Sequence, residues 1–257
     1  MTLRSMPRAA LVTGAGKRIG RALALRLAED GWAVAVHYNG SHHAAAEVVE
    51  TIRGMDGRAV ALQADLADET QVSRLVQEAT EALGPLGCLV NNASVFEYDS
   101  IATVDRASWD RHIETNLRAP FVLIQAFAKA LPEDDAGAVV NIVDERVWNL
   151  TPHFITYTLS KAGLWTLTQT LALALAPRIR VNAIGPGPTL PSERQTEAQF
   201  AKQCAEMPLR RGTTPEEVAA ALAFILSAPA MTGQMIALDG GQHLAWAQPQ
   251  AAAGICE

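Results

Sequence analysis

The sequence predicts a single α/β domain, 1–257, built on a doubly wound parallel sheet of about seven strands with helices on both faces. Three observations carry that reading. Short apolar and β-branched runs alternate with helical patterns along most of the chain. The strand runs are continuously apolar, as a sheet covered on both faces requires. A glycine-rich turn separates the first strand from the first helix, the position at which such sheets open a ligand crevice.

The elements follow in order. A strand at Ala9–Val12 leads through Thr13-Gly14-Ala15-Gly16-Lys17-Arg18-Ile19-Gly20 into a helix, Ile19–Asp30. Strand Trp32–His37 precedes helix Ala44–Met55, and strand Ala59–Gln63 precedes helix Glu69–Leu83. Cys88–Val90 runs into Asn91-Asn92-Ala93-Ser94, and one long helix is expected over Trp109–Leu131. Strand Ala138–Val143 has Asn141 as its one polar residue. The stretch Asp144–Lys161 reads as the end of a buried strand, a loop and a helix start, and the helix continues through Ala162–Ala176. Strand Ile179–Ile184, helix Pro215–Ser227 and strand Met235–Leu238 complete the pattern. Between them, Pro186–Pro208 reads as a long loop with a short helix over Glu193–Met207; a loop of this length in a compact domain is usually functional, and we expect a substrate lid. Leu190, Phe200, Met207 and Leu209 are candidates for its apolar walls, and Trp148 and His153 for the pocket. The alanine-rich tail, 248–257, is expected to be partly disordered.

Composition narrows the function. Net charge is −6 with no long basic run, which argues against nucleic acid or an anionic membrane surface as partner. Cys88, Cys204 and Cys256 are odd in number and far apart, so neither a disulfide framework nor a metal site is expected. The N-terminus lacks the apolar core of a signal peptide, and the most apolar helix is too short to span a bilayer. A soluble cytoplasmic protein is expected.

Two stretches carry chemistry. Tyr157 and Lys161 lie one helical turn apart and point from one face. An ammonium there favours the phenolate and lowers the tyrosine pKa, which suits proton transfer beside a reacting centre. The turn at Gly14–Gly20 has the strand-before, helix-after context of a dinucleotide phosphate site. The second strand ends in His37-Tyr38-Asn39-Gly40-Ser41 with no carboxylate for a ribose 2′-hydroxyl. The missing acid, with Lys17, Arg18 and Ser41 nearby, favours a 2′-phosphate and hence NADP(H).

These residues resemble the short-chain dehydrogenase/reductase family from Thr13 to about Gly241. The marks are Thr13-Gly14, Asp65-Leu66, Asn91-Asn92-Ala93, Asn116, Tyr157 with Lys161, Asn182, Pro186-Gly187 and Asp239-Gly240-Gly241. The resemblance implies a single-domain Rossmann fold and the following roles. Gly14, Arg18, Ile19 and Gly20 line the cofactor phosphates, Asp65 and Leu66 meet the adenine, and Asn92 and Ala93 lie along the adenosine. Tyr157 is the proton donor, Lys161 lowers its pKa and holds the nicotinamide ribose, and Asn116 organises a proton path to Lys161. Pro186 and Gly187 border the nicotinamide and Thr189 bonds its carboxamide. The family's helices corresponding to Trp109–Leu131 and Ala162–Ala176 pack across subunits, which implies a dimer or a tetramer with dihedral symmetry; a homotetramer is expected.

Two departures from the family pattern are informative. Arg18 stands where the turn usually has glycine, and Asp144 replaces the usual catalytic serine. A carboxylate repels a forming oxyanion, so Asp144 marks either an inactive relative or a substrate with nitrogen donors. The combination is similar to that of pteridine reductases, including bacterial dihydromonapterin and dihydrofolate reductases, which share the arginine, the His-Tyr pair, Ser94, Phe96 and the aspartate. That resemblance implies that Phe96 stacks on a pterin opposite the nicotinamide, that Ser94 bonds pterin and a cofactor phosphate, and that Arg18, Asp144 and Tyr157 complete the substrate site. Two other readings remain: a ketone or 3-oxo reductase on the same scaffold, and a non-catalytic NADP(H)-sensing protein.

Overall fold

The computed structural model describes residues 4–192 and 194–244; the expected tail and Cys256 lie outside the described residues. Seven strands form one sheet: β1 (Ala9–Val12), β2 (Ala33–Tyr38), β3 (Ala59–Gln63), β4 (Cys88–Asn91), β5 (Gly137–Ile142), β6 (Ile179–Pro186) and β7 (Met235–Leu238). Their order is β3-β2-β1-β4-β5-β6-β7, and each neighbouring pair is parallel. Strand order therefore reverses between β1 and β4, and the crevice outside the carboxyl ends of the strands opens there.

Alternate side chains of each strand enter two cores. On one face, Ala10 and Val12 of β1 pack with α1 (Arg18–Glu29), α2 (His42–Gly54) and α8 (Pro215–Ser227), through Leu23, Val48 and Leu222. On the other, Ala9 and Leu11 pack with α3 (Glu69–Leu83) and α5 (Ala119–Ala130), through Leu75, Leu123 and Phe127. All these residues are at most 3% exposed, so the apolar runs are explained by burial on both faces.

The structure differs from the sequence reading in the helices that flank the site. The long helix is interrupted. It begins earlier, as α4 (Arg106–Ile113), because Asp105 caps it by accepting from the Ser108 amide. A π-helical turn, Glu114–Arg118, then separates it from α5, and the Ala119 amide reaches back to the Glu114 carbonyl. Pro120, near the start of α5, has no amide to return to the carbonyl of Asn116, and its ring crowds that carbonyl; a widened turn relieves both. The turn places Asn116 inside the protein at 0% exposure. The central helix, α6 (Ile155–Leu175), starts just after Phe154, which takes φ 57°. The lid helix, α7, spans Glu197–Glu206 rather than starting at 193, because Thr196 and Gln199 form a reciprocal capping box.

Candidate active site

The first half of the crevice is the β1–α1 turn. Gly14 takes φ 62°, which glycine adopts without strain. Gly20 lies so close beneath it that a Cβ there would sit 2.2 Å from the Gly14 carbonyl oxygen. Thr13 Oγ1 accepts from the Asn92 and Ala93 amides at 2.9 and 3.0 Å, and Asn92 Nδ2 donates to the Thr13 carbonyl at 2.8 Å. These bonds tie the turn to the end of β4 across the switch point.

His37 has a different place from the one expected. It is 1% exposed, beneath the turn. Nδ1 accepts from the Gly14 amide at 3.0 Å, so Nε2 carries the hydrogen and donates to the Ala64 carbonyl at 3.1 Å. Burial lowers its pKa to about 4, with partial offset from the Ala64 carbonyl and Asp65. With both ring nitrogens bonded to backbone groups, His37 supports the turn. Lys17 and Arg18 are exposed, and Ser41 lies close to Gly16, where a Cβ would be 3.3 Å from its hydroxyl. Tyr38 packs edge-on against His42, Asn39 accepts weakly from Gln63 through its carbonyl, and Asp65 Oδ1 accepts from the Ala67 amide. Leu66 is buried.

The second half is assembled from the ends of β5 and β6 and the start of α6. Tyr157 Oη donates to Asp144 Oδ2 at 2.7 Å, and Asp144 Oδ1 accepts from the Arg146 amide at 2.9 Å. Lys161 Nζ donates to the Ile142 carbonyl at 2.8 Å, and burial lowers its pKa to about 8. The expected lowering of the Tyr157 pKa is reversed. Burial raises it well above the ordinary value, and the Asp144 carboxylate, by its charge and by accepting the phenol hydrogen, adds to the rise. Burial and Asp144 keep the proton on the tyrosine, which is a proton donor in form, while Lys161 directs one of its three N–H donors to the Ile142 carbonyl.

Asn116 makes no direct bond to Lys161. Its Nδ2 donates to the Val95 carbonyl and Ser160 Oγ, and its Oδ1 accepts from the Val95 amide and the Ser94 hydroxyl. It clamps the segment after β4 onto α6, next to Tyr157 and Lys161.

A cavity of about 660 Å³ joins the two halves, bordered by Arg18, Ser94, Phe96, Asp144, Tyr157 and Lys161 among others. Phe96 is stacked on Phe154, with centroids 4.6 Å apart, and meets Tyr157 edge-on at 4.6 Å. The lid is held from both sides. Arg18 donates to the Pro191 and Leu190 carbonyls, and Arg194 donates to the Phe96 carbonyl. Arg18 adopts φ 53°, the conformation for which a glycine would be the ordinary choice. Pro186, Gly187 and Thr189 border the cavity, where the Thr189 hydroxyl donates to the Gly187 carbonyl. Of the expected lid walls, Leu190 and Phe200 line the cavity, whereas Met207 is in the core and Leu209 is exposed. Trp148 packs outside against Trp165 and His243, and His153 sits at the surface beside Tyr98.

Sequence reasoning missed a buried polar cluster behind the aromatic wall. Asp99 and His112 are each 1% exposed, and Thr156 is 0% exposed. Thr156 Oγ1 bonds both Asp99 and His112, and His112 Nε2 accepts from the Glu97 amide. These residues are scattered along the chain, and no local pattern brings them together. The cluster anchors the start of α6 and hence Tyr157.

Fold and site together are those of a single-domain Rossmann-type oxidoreductase. The chain belongs to the short-chain dehydrogenase/reductase family: a family model described as enoyl-(acyl carrier protein) reductase matches residues 14–243. The 3-oxoacyl-[acyl-carrier-protein] reductase FabG of Staphylococcus aureus is 36% identical over 246 residues, covering 93% of this chain and 99% of that one. The crystal structure of FolM alternative dihydrofolate reductase 1 from Brucella suis, in complex with NADP, is 48% identical with a TM-score of 0.92, covering 98% of this chain and 100% of that one. A short chain dehydrogenase from Burkholderia cenocepacia, also in complex with NADP, is 35% identical with a TM-score of 0.86, covering 93% and 99%.

Proposed function

We propose that the protein is an NADPH-dependent reductase of a C=N bond in a pterin or dihydropteridine. The observation that carries this reading is the Tyr157–Asp144 hydrogen bond, which puts a carboxylate where the family usually has a serine hydroxyl. A carboxylate beside the proton donor disfavours an oxyanion and accepts from ring N–H groups. The similarity to FolM proteins supports the same reading.

The turn fits a dinucleotide. The close Gly14–Gly20 approach leaves a cradle that a Cβ would fill, and no side chain caps α1, so its first amides face the crevice with the positive end of the helix dipole. Gly14, Lys17, Arg18, Ile19 and Gly20 would hold the phosphates, Tyr38, Asn39 and Ser41 the 2′-phosphate side, Asp65, Leu66, Asn92 and Ala93 the adenosine side, and Ser94 a cofactor phosphate and the pterin. Tyr157 and Lys161 would hold the nicotinamide ribose, and Pro186, Gly187 and Thr189 the nicotinamide. NADPH, when bound, supplies the hydride. Tyr157 supplies the proton to the ring nitrogen, held on its oxygen by burial and by Asp144. Asp144 would orient the ring through its N–H groups, and the Tyr157 oxygen would regain its proton from solvent once the lid opens and product leaves. Lys161 offsets the carboxylate charge, and the lid excludes water.

The test is NADPH oxidation with dihydrobiopterin, dihydromonapterin, dihydrofolate, a 3-oxoacyl thioester and simple ketones. Turnover of a dihydropterin, reduced by about 10²–10⁴-fold in Tyr157→Phe, is expected. Turnover of the thioester or ketones alone would favour the second reading, a 3-oxo reductase, which the similarity to FabG supports. NADPH binding with no turnover of any substrate would favour the sensing role. We extend the proposal to a homotetramer, since Trp109 of α4 and Leu159 and Leu173 of α6 are 41%, 46% and 84% exposed on the subunit; sedimentation of a single-subunit species would contradict it.

A further inference from the structure

We infer that Arg146 is a specificity-determining residue of this site, donating to the exocyclic ring oxygen of the flat heteroaromatic substrate while Asp144 accepts from the adjacent ring N–H. The inference rests on the pterin reading and deepens it.

Arg146 follows Asp144 on a short 3-10 turn, Glu145–Val147, after β5. Its side chain borders the cavity, yet its buried Nε and Nη1 atoms have no hydrogen-bond partner among the described residues. Arg146 makes no ion pair with the neighbouring Asp144. Asp144 uses one oxygen for Tyr157 and the other for the Arg146 backbone amide, and no ion pair of Arg146 is formed among the described residues. What surrounds the guanidinium is aromatic: its central carbon lies 5.2 Å from the Phe154 ring centroid, 5.5 Å from Phe96 and 5.8 Å from Tyr157.

A guanidinium carries five N–H donors and no acceptor, so it must be satisfied from outside itself. Aromatic faces offset only part of the cost of removing it from water. A charged fork that borders a cavity without a protein acceptor is therefore matched to a ligand acceptor. Two features specify that acceptor. The guanidinium is held among three rings, so a planar partner fits the wall that holds it. It lies beside the ring of the proton donor, so the acceptor belongs to the ring system being reduced rather than to a distant tail. Asp144 accepts and Arg146 donates from neighbouring positions. An N–H next to a carbonyl, as on the pyrimidine edge of a pterin, complements both. A 3-oxoacyl chain offers no such edge.

The test compares wild type with Arg146→Met, which keeps length and apolar volume, and Arg146→Lys, which keeps charge without the planar fork. Binding of oxidised biopterin in the presence of NADP⁺ is titrated by ligand fluorescence, beside the same pteridine lacking the ring oxygen. Steady-state dihydrobiopterin reduction and NADPH affinity are measured in parallel. Wild type is expected to prefer the oxygen-bearing ligand by about 10–100-fold, the scale of a hydrogen bond from a charged donor. Removing the ring oxygen also strips the hydrogen from the adjacent ring nitrogen, so part of the preference belongs to Asp144; Arg146→Met should reduce the preference by about 10-fold and raise KM by a similar factor, with NADPH affinity retained, and Arg146→Lys should reduce it less. A merely structural role would weaken both ligands alike. If wild type binds and reduces biopterin forms and Arg146→Met keeps the preference, the inference is overturned while the pterin reading stands; should Arg146→Met fail to fold, full preference in Arg146→Lys overturns it in the same way. If wild type neither binds nor reduces any pterin, the pterin reading fails in the wild-type protein and the inference falls with it.

Discussion

Around the β1–α1 turn, the polar atoms that set the geometry are bonded to protein: Thr13 Oγ1 to two amides, Asn92 Nδ2 to the Thr13 carbonyl, and both nitrogens of His37. Across the crevice, Glu145 Oε2, Arg146 Nε and Nη1 and Gln242 Oε1 are buried without a hydrogen-bond partner among the described residues, and burial raises the Glu145 pKa to about 8. Buried polar groups are normally satisfied, and exceptions mark places where something else completes the structure. The contrast teaches that the two halves are built for different tasks. The cofactor half is fixed before any ligand arrives, whereas the substrate half holds polar groups whose partners come with the ligand.

The comparison breaks most sharply at Gly20. Alanine is intrinsically better than glycine inside a helix by roughly 1 kcal/mol. Here its Cβ would fall 2.2 Å from the Gly14 carbonyl oxygen and 2.6 Å from Asn92 Nδ2, so the backbone of the turn must move. Gly20→Ala is expected to weaken NADPH binding by about 100-fold, read by fluorescence titration, because close backbone approach to the pyrophosphate is lost. Unchanged affinity would show that the turn is not the fixed half.

His37 gives the next effect, through pH. Its pKa is about 4 in the folded protein, against about 6.5 for an unperturbed histidine. Between those values the unfolded chain holds more protons, so stability falls as pH falls. The contribution is complete above the unfolded value and is lost by the folded value, to a limit of about 3 kcal/mol. Urea unfolding at pH 7.5 and pH 5 should show this loss in wild type, with a smaller loss in His37→Gln, which does not titrate. Parallel pH dependences in the two proteins would remove His37 from the account.

The smallest effect belongs to the lid. No residue of α7 is buried, so its start depends on the Thr196–Gln199 capping box rather than on packing. Thr196→Ala should cost about 1 kcal/mol locally. It should speed amide hydrogen exchange in α7 with little change in global unfolding; equal loss in both would mean that the lid folds with the core.

Much of the architecture could be read from periodicity. β1, β3, α3, α8 and β7 occupy the expected residues, because each is bounded by a cap, a glycine or a change of hydrophobic period. The glycine turn and the Tyr157–Lys161 pair were visible because their chemistry depends on local spacing. Other features were invisible for physical reasons. The π-helical turn at Asn116 follows from Pro120 in a tertiary setting, and helical periodicity runs straight through it. The burial of His37, the Asp99–His112–Thr156 cluster and the aromatic cage of Arg146 each join distant residues. The Tyr157 pKa failed for a related reason. Spacing gave the distance to Lys161 along the helix, but the balance is decided by burial and by Asp144, which come from the fold.

The most direct measurement is the effect of Asp144→Ser on dihydropterin reduction, with NADPH affinity measured on the same preparation. The account predicts a fall in kcat/KM of about 100-fold or more, since the acceptor for the ring N–H and the partner of Tyr157 are both removed. NADPH affinity should be unchanged, because the bonds that set the cofactor turn do not involve this residue. Dihydropterin turnover as fast as wild type would contradict the role given to Asp144 and, with it, the reading of this site as built for a nitrogen heterocycle.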